Sequence, residues 1–278
     1  VKYDEIPLNE EGKADIEAIC DYLSREKVKM IHIQRSRGYE WCHDITLSEI
    51  EKIIKAAKKV SPETVCFVDN CYGEFVSEHE PTYYGADLMA GSLIKNPGGG
   101  LAKMGGYVAG RHDLVELAGY RMTTPATGRE AGASLNENKD MYQGFFLAPH
   151  VVAQAKKAAV LASYAMSALG FETSPVPGSE RTDIVQAIKF FDPDKMIAFC
   201  RGVQKGAPID AFATPEPCDM PGYSDKVIMA AGSFIQGASI EFSADGPLRE
   251  PYIAYMQGAL TYEAAKIGIM HAVEIMGE

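Results

Sequence analysis

Two periods of apolar and polar positions run along this chain, and each change of period marks a new element. Over 13–27, apolar residues fall at Ile16, Ile19, Cys20 and Leu23, the spacing of one helical face. Residues 28–33 follow as a short apolar strand, and 1–8 reads as a strand entering a turn. Thr46, with Glu49 three positions on, predicts a capping box ahead of a helix that Lys55, Lys58 and Lys59 complement at its end and Pro62 stops. The run 64–69 is short, β-branched and apolar, as expected of a strand covered on both faces. Strands are expected again at 86–95 and 105–110, with a brief helix at about 111–118. This order predicts an α/β sheet with parallel crossovers, whose strand-end polar residues face the ligand crevice.

Beyond residue 118 the pattern changes. Residues 119–149 are rich in Gly, Thr, Asn and charge and read as a lid-like region with short helical pieces. After Pro149 an alanine-rich helix at about 150–169 reads as a connector. The rest predicts an α+β unit: a strand in DIVQAIKF, a helix opened by an aspartate in DPDKMIAFCRGVQ, strands in KVIMAAG and ASIEFSA, and a long closing helix from PYIAYMQ to the end. The expected division is 1–149, 150–170 and 171–278.

Composition narrows the class. The chain has 278 residues and is 46% hydrophobic, enough for a large core with a second, smaller one. A net charge of −11 disfavours nucleic acid as a partner. No apolar stretch is long enough to span a bilayer. The six cysteines form no CxxC pair, which suits a reducing, cytoplasmic setting, and no HExxH or clustered ligand set predicts a metal.

Three places can carry chemistry. Asp69 ends a buried strand, where a carboxylate needs a partner: a cationic heterocycle nitrogen, or the N–H groups of the next turn. Lys95, in Ser92-Leu-Ile-Lys95 followed by Asn-Pro-Gly-Gly-Gly, closes an apolar strand and enters a glycine-rich loop. Burial there would prepare its amine for imine formation, whereas a flexible turn would leave it an ordinary surface lysine. The same Ser-x-x-Lys spacing marks penicillin-recognising serine enzymes, but no SDN or KTG triplet accompanies it. Arg249 is a candidate fork for a carboxylate, with a salt bridge to Glu250 or Glu241 as the plain alternative and Arg121, Arg129, Arg181 and Arg201 as rivals. Cys71 reads as a packed thiol, and Tyr39, Tyr72, Tyr107 and Tyr120 as residues that either pack or line a site.

The stretches FVDNCYGEF, GADLMAGSLIKNPGGGLAKMGGYVAG and VIMAAGSFIQGASIEFSADGPLREPY together resemble the methionine gamma-lyase family, also described as the cystathionine beta-lyase family involved in aluminium resistance. That family lies among the aspartate-aminotransferase-like, fold type I enzymes of pyridoxal 5'-phosphate (PLP). The resemblance implies a three-layer α/β large domain with a mostly parallel sheet, and a smaller α+β C-terminal domain. It implies that Lys95 holds PLP as a Schiff base, Asp69 pairs with the pyridine nitrogen, Ser92 contacts the phosphate and Arg249 holds a substrate carboxylate. It further implies a carbon–sulfur lyase acting on a small sulfur-containing amino acid, in a homodimer or homotetramer with sites near the subunit interface. Another PLP activity (aminotransferase, racemase or different lyase) or a non-catalytic protein keeping the fold are the alternatives. The glycine-containing phosphate cup and ring-stacking aromatic expected ahead of the aspartate are not found in 1–63, so the N-terminal part of the family pattern is expected to be missing. The aluminium label follows from no residue.

Overall fold

The computed structural model describes residues 2–122, 128–129, 135–232, 234–235 and 237–277. The first sheet grows from α1 (Ile16–Arg25), β1 (Met30–Gln34), α2 (Leu47–Val60), β2 (Val65–Asp69), β3 (Leu88–Ser92) and β4 (Gly106–Gly110). Asp15 caps α1 by accepting from the Ala18 N–H, and the Thr46–Glu49 capping box starts α2. The strand order is β1-β2-β3-β4. β1, β2 and β3 are parallel, so Gln34, Asp69 and Ser92 end at one edge of the sheet. α2 buries Ile50, Ile53, Ile54 and Ala57 against Ile33, Cys66 and Val68 of the sheet.

β4 departs from the parallel expectation and pairs antiparallel with β3, Gly91 facing Tyr107. Between these strands lies only one 3-10 turn, Asn96–Gly98. The Leu93 N–H donates to the Gly105 carbonyl at 3.0 Å, so the loop closes on itself as a hairpin and β4 runs back along β3. Residues 1–8 also differ from expectation: among the described residues their one ladder contact is a bridge from Leu8 to Ala14.

Next come α3 (His112–Met122) and α4 (Asn138–Ala168). The expected lid-like region overlaps both helices, and its parts at 123–127 and 130–134 lie outside the described residues. α4 does not begin after Pro149 but carries it inside. The proline removes one backbone donor, and a helix buried along Gly144, Ala148, Val152, Ala155 and Ala159 tolerates that gap.

The second sheet comprises β5 (Glu172–Ser174), β6 (Gln186–Lys189), β7 (Val227–Ala230), β8 (Ser243–Pro247) and β9 (Ile253–Gln257), in the antiparallel order β5-β6-β9-β8-β7. α5 (Pro193–Lys205) and α6 (Tyr262–Gly277) cover one face through Met196, Phe199, Val203 and Ile269 packed on Ile188, Ile228, Ala244 and Met256. The opposite face presents Val185, Ala187, Ile253 and Tyr255 to Tyr39, Trp41 and Tyr72 of the first half.

Two expected elements shift here. Most of ASIEFSA is a turn, because the Glu241 carboxylate accepts the N–H groups of Phe234 and Ile235 and the strand starts only at Ser243. IAYMQ, expected to open the closing helix, is β9, buried along its whole length. A short, fully apolar run has no period that separates strand from buried helix, and pairing with β6 and β8 decides it.

Candidate active site

The turn after β2 is held by a dense set of hydrogen bonds. The Asp69 carbonyl accepts from the Arg35 N–H at 3.0 Å, and Asp69 Oδ1 accepts from the Cys71 N–H at 3.0 Å. Tyr72 and Phe75 both take left-handed backbone, φ 69° and 60°. Such conformations in non-glycine residues persist only where surrounding contacts over-determine them. Those contacts are visible: the fully buried Arg35 donates to Asn70 Oδ1 at 2.8 Å and Glu80 Oε2 at 3.2 Å, and Glu80 Oε1 accepts the Phe75 N–H at 2.9 Å. Gly73 has no room for a side chain, since a Cβ there would lie 2.5 Å from the Arg35 side chain.

Lys95 reaches this turn from the adjacent strand. β3 ends at Ser92, and the Lys95 N–H closes a turn onto the Ser92 carbonyl at 3.2 Å. The half-buried lysine then lays its Nζ over the Tyr72 ring, 4.3 Å from the centroid. Asp69 sits at the matching end of the neighbouring strand, paired in register with Ala90. The 26 positions that separate Asp69 from Lys95 hold a connection with one 3-10 turn, Pro81–Tyr84, and then β3 itself, and the parallel pairing of β2 and β3 brings both residues to one sheet edge.

The glycine loop following Lys95 is pressed between the two halves of the molecule. A Cβ on Gly144 of α4 would lie 2.0 Å from the Gly98 carbonyl oxygen, and one on Gly100 would meet Leu260 at 2.4 Å. Only glycine permits these approaches. The Ile94 carbonyl accepts from the Ile240 N–H at 3.0 Å, which ties the lysine segment to the chain leading into β8.

Buried acids flank the pair. Glu74, almost fully buried, accepts from the Tyr107 hydroxyl at 2.9 Å through Oε1, while Oε2 has no partner. Burial pushes its carboxyl up to about 8. Asp245 of β8 accepts from the Tyr39 hydroxyl at 2.5 Å, and its Oδ1 is unpartnered. Burial raises this carboxyl to about 6, against the lowering effect of the Tyr39 bond and of the Lys95 charge. Burial likewise lifts the Cys71 thiol to about 11, which makes it a poor nucleophile near neutrality. Neither Glu74 nor Asp245 stood out in the sequence, since an acid inside an apolar run carries no period or motif.

Arg249 lies apart from the lysine turn. It is exposed on the link between β8 and β9, donates to the Tyr39 carbonyl at 3.3 Å, and faces Glu40 at 3.5 Å and Asp225 at 3.8 Å. Its acidic partners are therefore not Glu250 or Glu241. Through Tyr39 it stands one residue from the Asp245 hydrogen bond. Of its rivals, Arg181 is buried and occupied by the Val185 and Ala159 carbonyls and by Gln186, and Arg201 pairs with Glu216.

The donor set suits PLP. Lys95 supplies an amine for an aldehyde. Asp69 has one oxygen engaged by Cys71 and one that holds no hydrogen bond among the described residues, as a pyridinium N–H requires. The half-buried Ser92 hydroxyl likewise has no side-chain partner among them. Among the described residues no group of three or more His, Cys, Asp or Glu is placed to hold a metal ion, and no helix is long and apolar enough to cross a membrane.

Comparison with known proteins places the chain in a family. The family model for methionine gamma-lyase matches residues 1–277. The uncharacterized protein YnbB of Bacillus subtilis (strain 168) is 54% identical over 274 residues, which cover 99% of this chain and 65% of that protein. A crystal structure of a carbon-sulfur lyase involved in aluminum resistance from Clostridium novyi NT superposes with a TM-score of 0.92 at 50% identity, covering 98% of this chain and 63% of that one. Apo CalE6, a methionine gamma lyase from Micromonospora echinospora, shares the fold at 12% identity, with a TM-score of 0.61 over 96% of this chain and 68% of that one. The chain spans slightly less than two thirds of the length of the first two relatives. With the family model covering nearly its whole length, the chain belongs to the methionine gamma-lyase family.

Proposed function

We propose that this chain forms the lysine-bearing part of a PLP-dependent carbon–sulfur lyase acting on a sulfur-containing amino acid. The observation that carries this reading is the placement of Lys95 and Asp69 at the ends of adjacent parallel strands, with the lysine amine on the Tyr72 ring. In this reading residues 1–149 hold the cofactor, 150–170 connect, and 171–278 close over it from the second sheet. Lys95 binds the cofactor aldehyde, Asp69 its ring nitrogen and Ser92 its phosphate.

When bound, the cofactor supplies an electron sink for the substrate Cα. The protein's own groups do the remaining work. The Asp69 carboxylate holds a proton on the ring nitrogen. Arg249 takes the substrate carboxylate, which requires it to leave Glu40 and Asp225. Lys95 Nζ would take the substrate Cα proton and return it to the departing sulfur. The overall change would be substrate and water giving a thiol, a keto acid and ammonia.

We place the protein in the cytoplasm, as a homodimer or homotetramer. An aromatic face supports self-association: Tyr142 and Phe146, one helical turn apart on α4, are 77% and 82% exposed, on the helix that grips the lysine loop.

The test is borohydride reduction of the PLP-treated protein followed by peptide mapping. The expected result is a pyridoxyl group on Lys95 and, in Lys95→Ala, loss of both that label and the visible imine absorbance. A label elsewhere, or none, would sink the reading. Thiol and keto-acid release from thioether amino acids then separates a lyase from an aminotransferase.

A further inference from the structure

The residue after the lysine makes a contact that no motif foretells. Asn96 is fully buried. Its amide nitrogen donates to two backbone carbonyls of the turn after β2, Tyr72 O at 3.0 Å and Glu74 O at 3.0 Å. Those carbonyls flank Gly73 within the segment held in left-handed backbone at Tyr72 and Phe75. One side chain thus uses both of its N–H groups to fix the path of a strained turn.

Its neighbour uses the same turn differently. The Lys95 amine rests on the ring of Tyr72, 4.3 Å from the centroid, while the Asn96 amide holds the carbonyl of that same residue. Two consecutive residues therefore grip Tyr72 at its two ends, ring and backbone. Their own backbone is fixed in turn: the Lys95 carbonyl accepts from Gly98 at 3.1 Å, the Asn96 carbonyl from Gly99 at 3.2 Å, and Pro97 stiffens the step between. The Asn96 carbonyl Oδ1 has no partner. The asparagine is thus kept for its donors, at the cost of an unsatisfied acceptor.

From this geometry we infer that Asn96 is a positioning residue that holds the Tyr72 ring beneath the Lys95 amine and so sets that amine's reactivity. The inference rests on Lys95 being the reactive lysine of the site. The physical route is direct. The ring face attracts the lysine head and covers it from one side. If the turn drifts by an ångström the ring leaves the amine, and the amine loses that fixed, covered position.

The test needs no cofactor. Competitive labelling with trace acetic anhydride at fixed pH, read at the Lys95 peptide by mass spectrometry, gives the amine's reactivity relative to the other lysines. Asn96→Ala is expected to raise the Lys95 labelling rate about threefold to tenfold, the range of one cation–π contact. Tyr72→Leu is expected to do the same, and Tyr72→Phe, which keeps the ring, to do little. The deciding measurement is the double variant. If Asn96 acts through Tyr72, Asn96→Ala adds nothing in the Tyr72→Leu background.

Multiplying effects in the double variant, or a wild-type labelling rate in Asn96→Ala, would overturn the inference. Should Asn96→Ala fail to fold, Asn96→Ser, which keeps one donor, is expected to show a smaller shift in the same direction, and no shift there counts against the proposal. Borohydride mapping that leaves Lys95 unlabelled would instead remove the catalytic reading. The labelling cycle would still report whether ring and amine are coupled, so the two failures are distinguishable.

Discussion

At the scale of single residues, Glu74 shows how burial sets ionisation around the strand ends. Tyr107 donates to its Oε1, but Oε2 is unpartnered and the Glu80 charge lies near, so the carboxyl holds its proton up to about 8. Its ordinary value is 4.5. A raised acid of this kind contributes stability fully below the unfolded value, and the contribution is lost as pH rises through the folded value. At about 1.4 kcal/mol per unit, Glu74 costs the fold on the order of a few kcal/mol between pH 5 and 8. Asp245, raised to about 6, acts in the same direction over a lower window. Glu74→Gln is therefore expected to flatten the fall in thermal stability from pH 5 to 8. Melting curves at both pH values check this, and an unchanged slope would show that the carboxyl is ionised in the folded protein.

Among the elements, α4 and the glycine loop meet backbone to backbone at Gly144, Gly98 and Gly99. Gly144 and Gly98–Gly99 approach so closely that a methyl group on Gly144 would lie 2.0 Å from a carbonyl oxygen, and one on Gly99 2.4 Å from the Gly144 carbonyl. Gly144→Ala would push the loop that carries Lys95 and Asn96 away from the helix. Overpacking of this kind costs about 1–3 kcal/mol. The expected outcome is a lowered melting temperature together with slower PLP uptake at Lys95, followed by absorbance. A loss of stability with unaltered uptake would mean that the loop relaxes without moving the lysine. Glycine in a helix interior otherwise weakens the helix, so its presence at 144 is explained by this contact.

For the whole molecule, the second sheet lays one face on α5 and α6 and the other on Tyr39, Trp41 and Tyr72. The lysine turn is therefore enclosed by both halves of the chain, with the Ile94–Ile240 hydrogen bond as one tie. The aromatic face of α4 is left open beside it, and Phe146 is 82% exposed. Phe146→Asp is expected to shift the protein toward a smaller species in size-exclusion chromatography with light scattering, at nearly unchanged melting temperature. A monomeric wild-type protein, or an unmoved variant, would rule out this face as the subunit contact.

The sequence by itself determined the local elements and the chemical candidates. Thr46 and Glu49 announced the cap of α2, helical spacing marked α1 and α5, and β-branched runs marked β2 and β6, because each signal is written within a few residues. Lys95 and Asp69 were visible as polar residues closing apolar runs. Tertiary structure decided what depends on partners distant in sequence. IAYMQ became a strand because β6 and β8 lie beside it, and β4 turned antiparallel because the glycine loop closes as a hairpin through the Leu93 to Gly105 bond. Pro149 stayed inside α4 because packing along the helix outweighs one missing donor. Arg249 found Glu40 and Asp225, both remote in sequence, in place of its neighbour Glu250. Tyr72 was one of four candidate tyrosines, but its contact with Lys95, the amide of Asn96 and the buried carboxyls of Glu74 and Asp245 were silent for the same reason. Burial and hydrogen bonding are properties of assembled surfaces, and a residue's own neighbours in the chain do not encode them.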